Sequence, residues 1–263
     1  MKKYFDLSVN EPEESGEQSA DLYLFGEITD PSWKAMKERL EIDDGSASGL
    51  SIAKTIRELP EGVSQLKVHI NSPGGDAYEG LAIYNILRNC GREVETFCEG
   101  LAASAASVIF MAGSKRVMSD ASLLMLHNPW TSLSGNAANM REEAEILDKI
   151  SSAMAAAYTS GGAEEAEILG LMDGENHSGT WLTAEEAVQY HLATSIEKGA
   201  QEQAKAVAQL GRKQAVVKVT LDDAKMKEIV QKTLERMNLV PKGSEGKELT
   251  LADKIFSMKG KVE

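Results

Sequence analysis

Leu66-Lys-Val-His-Ile-Asn-Ser-Pro-Gly-Gly-Asp-Ala-Tyr-Glu-Gly-Leu-Ala-Ile-Tyr-Asn-Ile-Leu-Arg88 changes its period part-way along. Leu66 to Ile70 alternates apolar and polar residues, the pattern of a strand with one buried face. Pro73-Gly-Gly75 then breaks the run, and Ala77 to Arg88 reads as a helix. The same alternation continues downstream with strand Val94 to Cys98, helix Ala102 to Ala112 and strand Ser122 to Leu126. Strands and helices taking turns in this way predict an α/β fold, a mainly parallel sheet covered by helices.

Working outward, Leu22-Tyr-Leu-Phe25 reads as a strand ended by Gly26, and Asp44 to Gly49 as a loop. Leu50 to Leu59 follows as a helix with Leu50, Ala53 and Ile56 on one face, stopped by Pro60 and Gly62. On the other side lie a long helical stretch from Asn136 to Tyr158, a break at Gly161-Gly162, and a helix from Ala163 to Leu171. Ile146, Ile150, Met154 and Ala157 form an apolar stripe on the long helix, which predicts a partner chain covering it. Thr183-Ala-Glu-Glu186 is an N-cap and first turn opening a helix that ends near His191, and Ala193 to Ile196 reads as a last short strand.

Three segments follow: a flexible lead-in over residues 1–20, a main domain over 21–197, and an appendage over 198–263. The appendage has strand character at Val216 to Leu221, an amphipathic helix pattern at Asp222 to Met237 and a linker at Pro241 to Gly246. It holds 14 Lys and Arg against 9 Asp and Glu, within a chain whose net charge is −13. The main domain is therefore strongly acidic and repels phosphate backbones, which argues against a nucleic-acid partner. Cys90 and Cys98 have no metal-ligand spacing and suit a reducing compartment as two small buried thiols. The N-terminal residues lack an apolar signal region, and the run Leu101 to Gly113 falls short of the roughly 18 residues that span a bilayer. A cytoplasmic location with no membrane contact is expected, and no cofactor or metal is called for.

Chemistry concentrates in three places. Pro73-Gly-Gly75 at a strand-to-helix junction lets backbone N–H groups face an oxyanion, although such a turn by itself is common. Gly100-Leu-Ala-Ala-Ser104-Ala-Ala-Ser107 places Ser104 in the first turn of an Ala-rich helix, where small neighbours admit a substrate backbone. Ser107, one turn on, is expected to be replaceable by Ala with little effect. A serine nucleophile needs a base, and there are four histidines. His69 sits mid-strand as a satisfied structural imidazole, His177 lies in a polar loop, and His191 ends a helix. His127 follows the apolar strand Leu123 to Leu126, where a parallel sheet delivers side chains to a site, so spacing ranks it first.

Asn71-Ser-Pro-Gly-Gly75, Gly100-x-Ala-Ala-Ser104, Met125-x-His127-x-Pro129 and Thr183-Ala-Glu-Glu-Ala187-Val-x-Tyr190 occur in the order and spacing of ClpP peptidases, so Leu22 to Glu197 resembles that family. The resemblance implies a ClpP/crotonase-like spiral of strand-helix repeats with a protruding long helix, and a C-terminal helical or flexible tail. It implies a serine endopeptidase acting through an acyl-enzyme, with Ser104 as nucleophile, His127 as general base, and the amides of Gly75 and Ala105 as the oxyanion hole. It further implies homo-oligomeric rings and polypeptide substrates.

The match departs at the third triad member. ClpP carries an Asp two positions before the aromatic of the segment that here reads Gly179-Thr-Trp181. Gly179 leaves Asp173 or Glu175 in the preceding loop as the carboxylate, with Asp173 favoured because Gly174 beside it permits an inward turn. An Asn or a water would also orient the imidazole. The Thr-Trp-Leu-Thr-Ala-Glu-Glu-Ala wording, the long N-terminus and the Lys-rich tail look more like the phage head-maturation (prohead) branch, with capsid or scaffold proteins as substrates in the host cytoplasm. The alternatives are a cellular ClpP-type subunit fed by an ATP-driven unfoldase and an inactive shell protein of the same fold. A crotonase-like acyl-CoA enzyme is disfavoured, because its oxyanion chemistry requires no serine-histidine pair.

Overall fold

The computed structural model describes residues 5–12, 17–40, 42 and 45–198, all within a first unit, Met1–Ala200. The tail patterns at 216–221, 222–237 and 241–246 lie outside the described residues. In chain order the elements are β1 (Phe5–Val9), β2 (Gln18–Leu24), α1 (Pro31–Arg39), α2 (Gly49–Arg57), β3 (Val63–Ser72), α3 (Ala77–Arg88), β4 (Glu93–Ala103) and α4 (Ala105–Phe110). They continue as β5 (Lys115–Ser119), β6 (Leu123–Leu126), α5 (Ala137–Thr159), α6 (Glu165–Asp173), β7 (Thr180–Thr183), α7 (Ala184–Gln189) and β8 (Ser195–Glu197).

One eight-stranded sheet runs β1-β2-β3-β4-β5-β8, and β4 also carries β6 and, through it, β7. The pairs from β2 to β8 are parallel, as is β4 with β6, whereas β1 with β2 and β6 with β7 are antiparallel. The strand β4 forks the sheet: Glu95 to Cys98 pairs with β5 and Leu101 to Ala103 pairs with β6. The mixed α/β architecture is that expected of a ClpP-like chain.

Helices pack on the apolar side of this sheet. In α3, Asp76 caps the N-terminus by accepting from Glu79 N at 3.0 Å, and Gly80, Ile83 and Leu87 are buried at helical spacing. Leu22, Leu66, Val68 and Ile70 from the strands meet Ile109 and Phe110 of α4 and Met154 and Tyr158 of α5 in one core. Arg116, buried and with no carboxylate partner among the described residues, donates to the carbonyls of Leu192 (2.7 Å), Gly113 (3.1 Å) and His191 (3.1 Å), which ties the end of α7 to β5. Of the two thiols, Cys98 is buried, where desolvation pushes its pKa up to about 11, and Cys90 is half-buried.

Three expectations are corrected. The segment 1–20 is not simply a lead-in: β1 lies within it and pairs with β2. Beyond the end of β1, Asn10 Nδ2 donates to Ser19 Oγ (3.0 Å) and Asp21 Oδ2 (2.9 Å) of β2. The helix expected from Ala102 starts only at Ala105, because Ala102 and Ala103 are held as strand by β6. The stripe on the long helix needs no partner chain. Ile150, Met154 and Ala157 are buried in this chain's own core, with Ile146 packed against it.

Candidate active site

β4 carries the chain in sheet geometry up to its last residues, with Ala102 opposite Leu124 and Ala103 opposite Met125. Ser104 N then donates to Met125 O at 2.9 Å, so the nucleophile candidate is still anchored to the strand edge. The direction reverses in one residue. Ser104 has φ 56° and ψ −127°, a conformation that costs a non-glycine residue about 1–3 kcal/mol and is seen where a side chain must be thrust out of a turn. The helix α4 begins immediately after it. The neighbouring strand β6 ends at Leu126 and delivers the next residue, His127, to the same edge, where its Nε2 lies 2.7 Å from Ser104 Oγ. Both side chains are half-buried.

The turn after β3 closes the other side. Gly74 and Gly75 have φ of +89° and +144°. Ile28 N donates to Gly74 O (2.8 Å) and Asp76 N to Ile28 O (2.9 Å), which fixes the turn while leaving the Gly75 N–H unused. A side chain on Gly74 would overlap Ala103 O and stand 2.7 Å from Ser104 Cβ and 2.9 Å from Ala105 N. Only glycine lets this turn press against the nucleophile. Gly80 does the same one helix turn later, where an added Cβ would stand 2.8 Å from Ala105 Cβ. Among the described residues neither the Gly75 N–H nor the Ala105 N–H has an acceptor. Two free amides beside a hydroxyl hydrogen-bonded to an imidazole can activate a nucleophile and receive the oxyanion it creates.

The expected acid is not brought to this pair. Asp173 ends α6, and its Oδ1 lies 2.7 Å from Nδ1 of His177, four residues on, whose pKa is raised by that carboxylate. Its backbone is nearby: Asn128 N donates to Met172 O at 3.0 Å, and Asp173 O accepts from Gly179 N at 3.1 Å. Glu175 is exposed, and among the described residues no side chain other than Ser104 is hydrogen-bonded to His127. Gly179 itself explains the departure. With φ +78°, it sits so close that a Cβ would overlap Leu126 O and His127 Cβ.

Ser107 also differs from expectation. Rather than a replaceable packing residue, it is fully buried, with Oγ 2.6 Å from Ser104 O and 2.7 Å from Tyr158 Oη. Nothing in the sequence links residues 107 and 158. His69 is held in the sheet by Asp21 and Glu99, and His191 closes α7 with φ 59°. A polar cavity of about 370 Å³ opens at the opposite, N-terminal ends of the strands, lined by Gln18, Gln65, Lys67, Glu93 and Lys115.

The family model described as Clp protease matches residues 39–200, which contain Gly75, Ser104, Ala105, His127 and Asp173. The chain belongs to the Clp protease family. An ATP-dependent Clp protease proteolytic subunit of Porphyromonas gingivalis is 28% identical over 158 residues, covering 59% of this chain and 70% of the relative. That of Ligilactobacillus salivarius is 27% identical over 198 residues, covering 73% and 94%. Proteolytic subunit 1 of Corynebacterium diphtheriae is 30% identical over 179 residues, covering 64% and 83%. Clp proteases are serine endopeptidases that assemble as oligomeric rings and act on polypeptides. This member has the α/β architecture of the family, with a serine and a histidine in contact at the strand edge. Among the described residues no helix is long and apolar enough to cross a membrane.

Proposed function

We propose that this Clp protease hydrolyses peptide bonds through an acyl-enzyme formed on Ser104. The observation that carries the reading is the 2.7 Å contact between His127 Nε2 and the hydroxyl of a serine on a strained strand-to-helix turn. His127 takes the Ser104 proton as the oxygen attacks the scissile carbonyl, and the N–H groups of Gly75 and Ala105 receive the oxyanion. His127 then gives the proton to the leaving amine, and a water activated by the same imidazole releases the acyl group. Asp173 is the carboxylate we assign to orient His127 during turnover, a role for which it must leave His177. The peptidase domain we assign extends the expected 21–197 upstream to take in β1 and the start of β2, with a basic appendage over 198–263.

A fluorophosphonate probe tests the core of this reading. It should label the wild-type chain on Ser104 and leave Ser104→Ala unlabelled, with peptide hydrolysis lowered about a thousandfold or more in Ser104→Ala and in His127→Ala. An unlabelled wild-type chain would make the fold a shell without activity. For the acid, Asp173→Asn should lower kcat about a hundredfold with KM little changed, while His177→Ala should not lower it. Undiminished turnover in Asp173→Asn would mean that His127 works without a carboxylate.

The biological setting we assign is phage head maturation, in which a homo-oligomeric ring trims capsid or scaffold proteins in the host cytoplasm. Its support is the wording from Thr180 to Ala187 and the basic tail. The second reading, a proteolytic subunit served by an ATP-driven unfoldase, is favoured by the names of the relatives above. Neighbouring genes separate the two: portal and major capsid genes on either side support the first, and an unfoldase gene supports the second.

A further inference from the structure

Ser107 interrupts an otherwise apolar run, Ala105 to Ala112, in which every side chain is buried. Burying a hydroxyl there is unfavourable unless it is fully hydrogen-bonded, and its two contacts are both short: Ser104 O at 2.6 Å and Tyr158 Oη at 2.7 Å. The hydrogens can be assigned by counting. A carbonyl only accepts and a serine hydroxyl has one hydrogen, so Ser107 donates to Ser104 O and the Tyr158 phenol donates to Ser107. Tyr158 is fully buried in α5, and burial pushes its pKa upward, so it stays a protonated donor.

The carbonyl at the end of this chain belongs to the peptide group between Ser104 and Ala105. That group is planar and trans, so its C=O and N–H point in opposite directions. Hydrogen bonds to Ser104 O from Ser107 Oγ and from Ser107 N at 2.9 Å therefore fix where the Ala105 N–H points. They also draw electron density toward the carbonyl and make that N–H a stronger donor. We propose that Ser107 and Tyr158 are positioning residues that orient and polarise the Ser104–Ala105 peptide, holding the nucleophile's strained turn and aiming its N–H at the oxyanion. The inference rests on the reading of Ser104 as nucleophile and the Ala105 N–H as oxyanion donor. It links that peptide to α5 through Tyr158, which is 51 positions from Ser107 in sequence.

The test measures the fluorophosphonate labelling rate of Ser104 together with kcat and KM for a peptide substrate, on the full chain. Ser107→Ala should lower labelling and kcat about tenfold with KM within about twofold, because the lost interaction matters most when the oxyanion forms. Tyr158→Phe, which removes one oxygen and leaves the packing ring, should lower both about threefold. Combined with Ser107→Ala it should add nothing, because its effect passes through Ser107. Wild-type labelling and turnover in Ser107→Ala would overturn the inference while leaving the peptidase reading standing. A Tyr158→Phe loss that persists undiminished in the Ser107→Ala background would also overturn it, since Tyr158 would then act by packing. If Ser107→Ala does not fold, Tyr158→Phe alone decides, and an unchanged labelling rate sinks the proposal. A wild-type chain that does not label would remove the nucleophile itself, and the inference with it.

Discussion

At Gly179 the backbone, rather than a side chain, faces His127. The residue takes φ +78°, and its Cα lies where any Cβ would enter Leu126 O and His127 Cβ. Restoring the family's aspartate at this position by Gly179→Asp should therefore not restore a triad. We expect turnover to fall and stability to drop by about 2–3 kcal/mol, from a disfavoured backbone conformation combined with a clash against the imidazole's own residue. Thermal melts beside peptide-hydrolysis rates check this, and a faster, stable Gly179→Asp enzyme would refute it. Sequence spacing ranked Ser104 and His127 first, because a serine among alanines after a strand and a histidine ending the next one are local patterns, and their side chains do lie in contact. It did not show Asp173 turned to His177, nor the Ser107–Tyr158 contact, because both depend on how loops and helices meet in space.

At the scale of elements, the strands β2, β3 and β4 place Tyr23, His69 and Phe97 side by side in register. The imidazole is stacked between the two rings, with centroids 4.7 Å and 5.0 Å away, and its nitrogens reach Glu99 Oε1 (2.6 Å) and Asp21 Oδ1 (3.3 Å). Burial by itself would lower the pKa of His69, but hydrogen bonds and charge from Asp21 and Glu99 outweigh it and hold it up at about 9. Asp21, which also faces Lys67, is correspondingly lowered, mainly by its hydrogen bond to His69. A histidine whose folded pKa exceeds its ordinary 6.5 contributes stability that is complete below 6.5 and is lost as pH rises through about 9. The gap in melting temperature between wild type and His69→Gln should thus be widest just below pH 6.5, narrow as pH rises, and be largely gone by about pH 10, with on the order of 2 kcal/mol at stake. A gap that does not change with pH would mean that stacking alone holds the ladder.

The elements also show which parts of the fold are legible in the sequence. The helix α3 reads directly from its spacing, cap and flanking Gly-rich turn, all of them local. Ala102 and Ala103 read as helix because alanine prefers it, but pairing with β6 overrode that preference. The short strands β5 and β7 are defined by partners distant in sequence, β8 with Val117 to Ser119 and β6 with Thr180 to Thr183, and carry little periodic signal of their own. The helix α1 has no buried residue, so the sequence offers no core-facing stripe by which to recognise it.

For the whole molecule, the question is which surface makes the ring that the family forms, now that the Ile146 to Ala157 stripe is accounted for within the chain. The antiparallel ribbon of β6 and β7 offers one. Met125 lies opposite Trp181, and Leu123, two residues from Met125, shares their face, with Leu123 and Trp181 41% and 54% exposed. Trp130, Leu133 and Met140 are exposed along the segment leading into α5 and in its first turns, so large apolar side chains continue from the ribbon toward the long helix. Such side chains left in water would be unfavourable in a monomer and are the ordinary anchors of an interface. Sedimentation of the wild-type chain at micromolar concentration should therefore show an oligomer. Leu123→Glu with Trp181→Glu should shift it to smaller species with little change in circular dichroism, since both side chains already face solvent in the isolated subunit. Unaltered assembly in that variant would place the interface elsewhere, and a wild-type chain that sediments only as monomer would leave this member of the family without its ring.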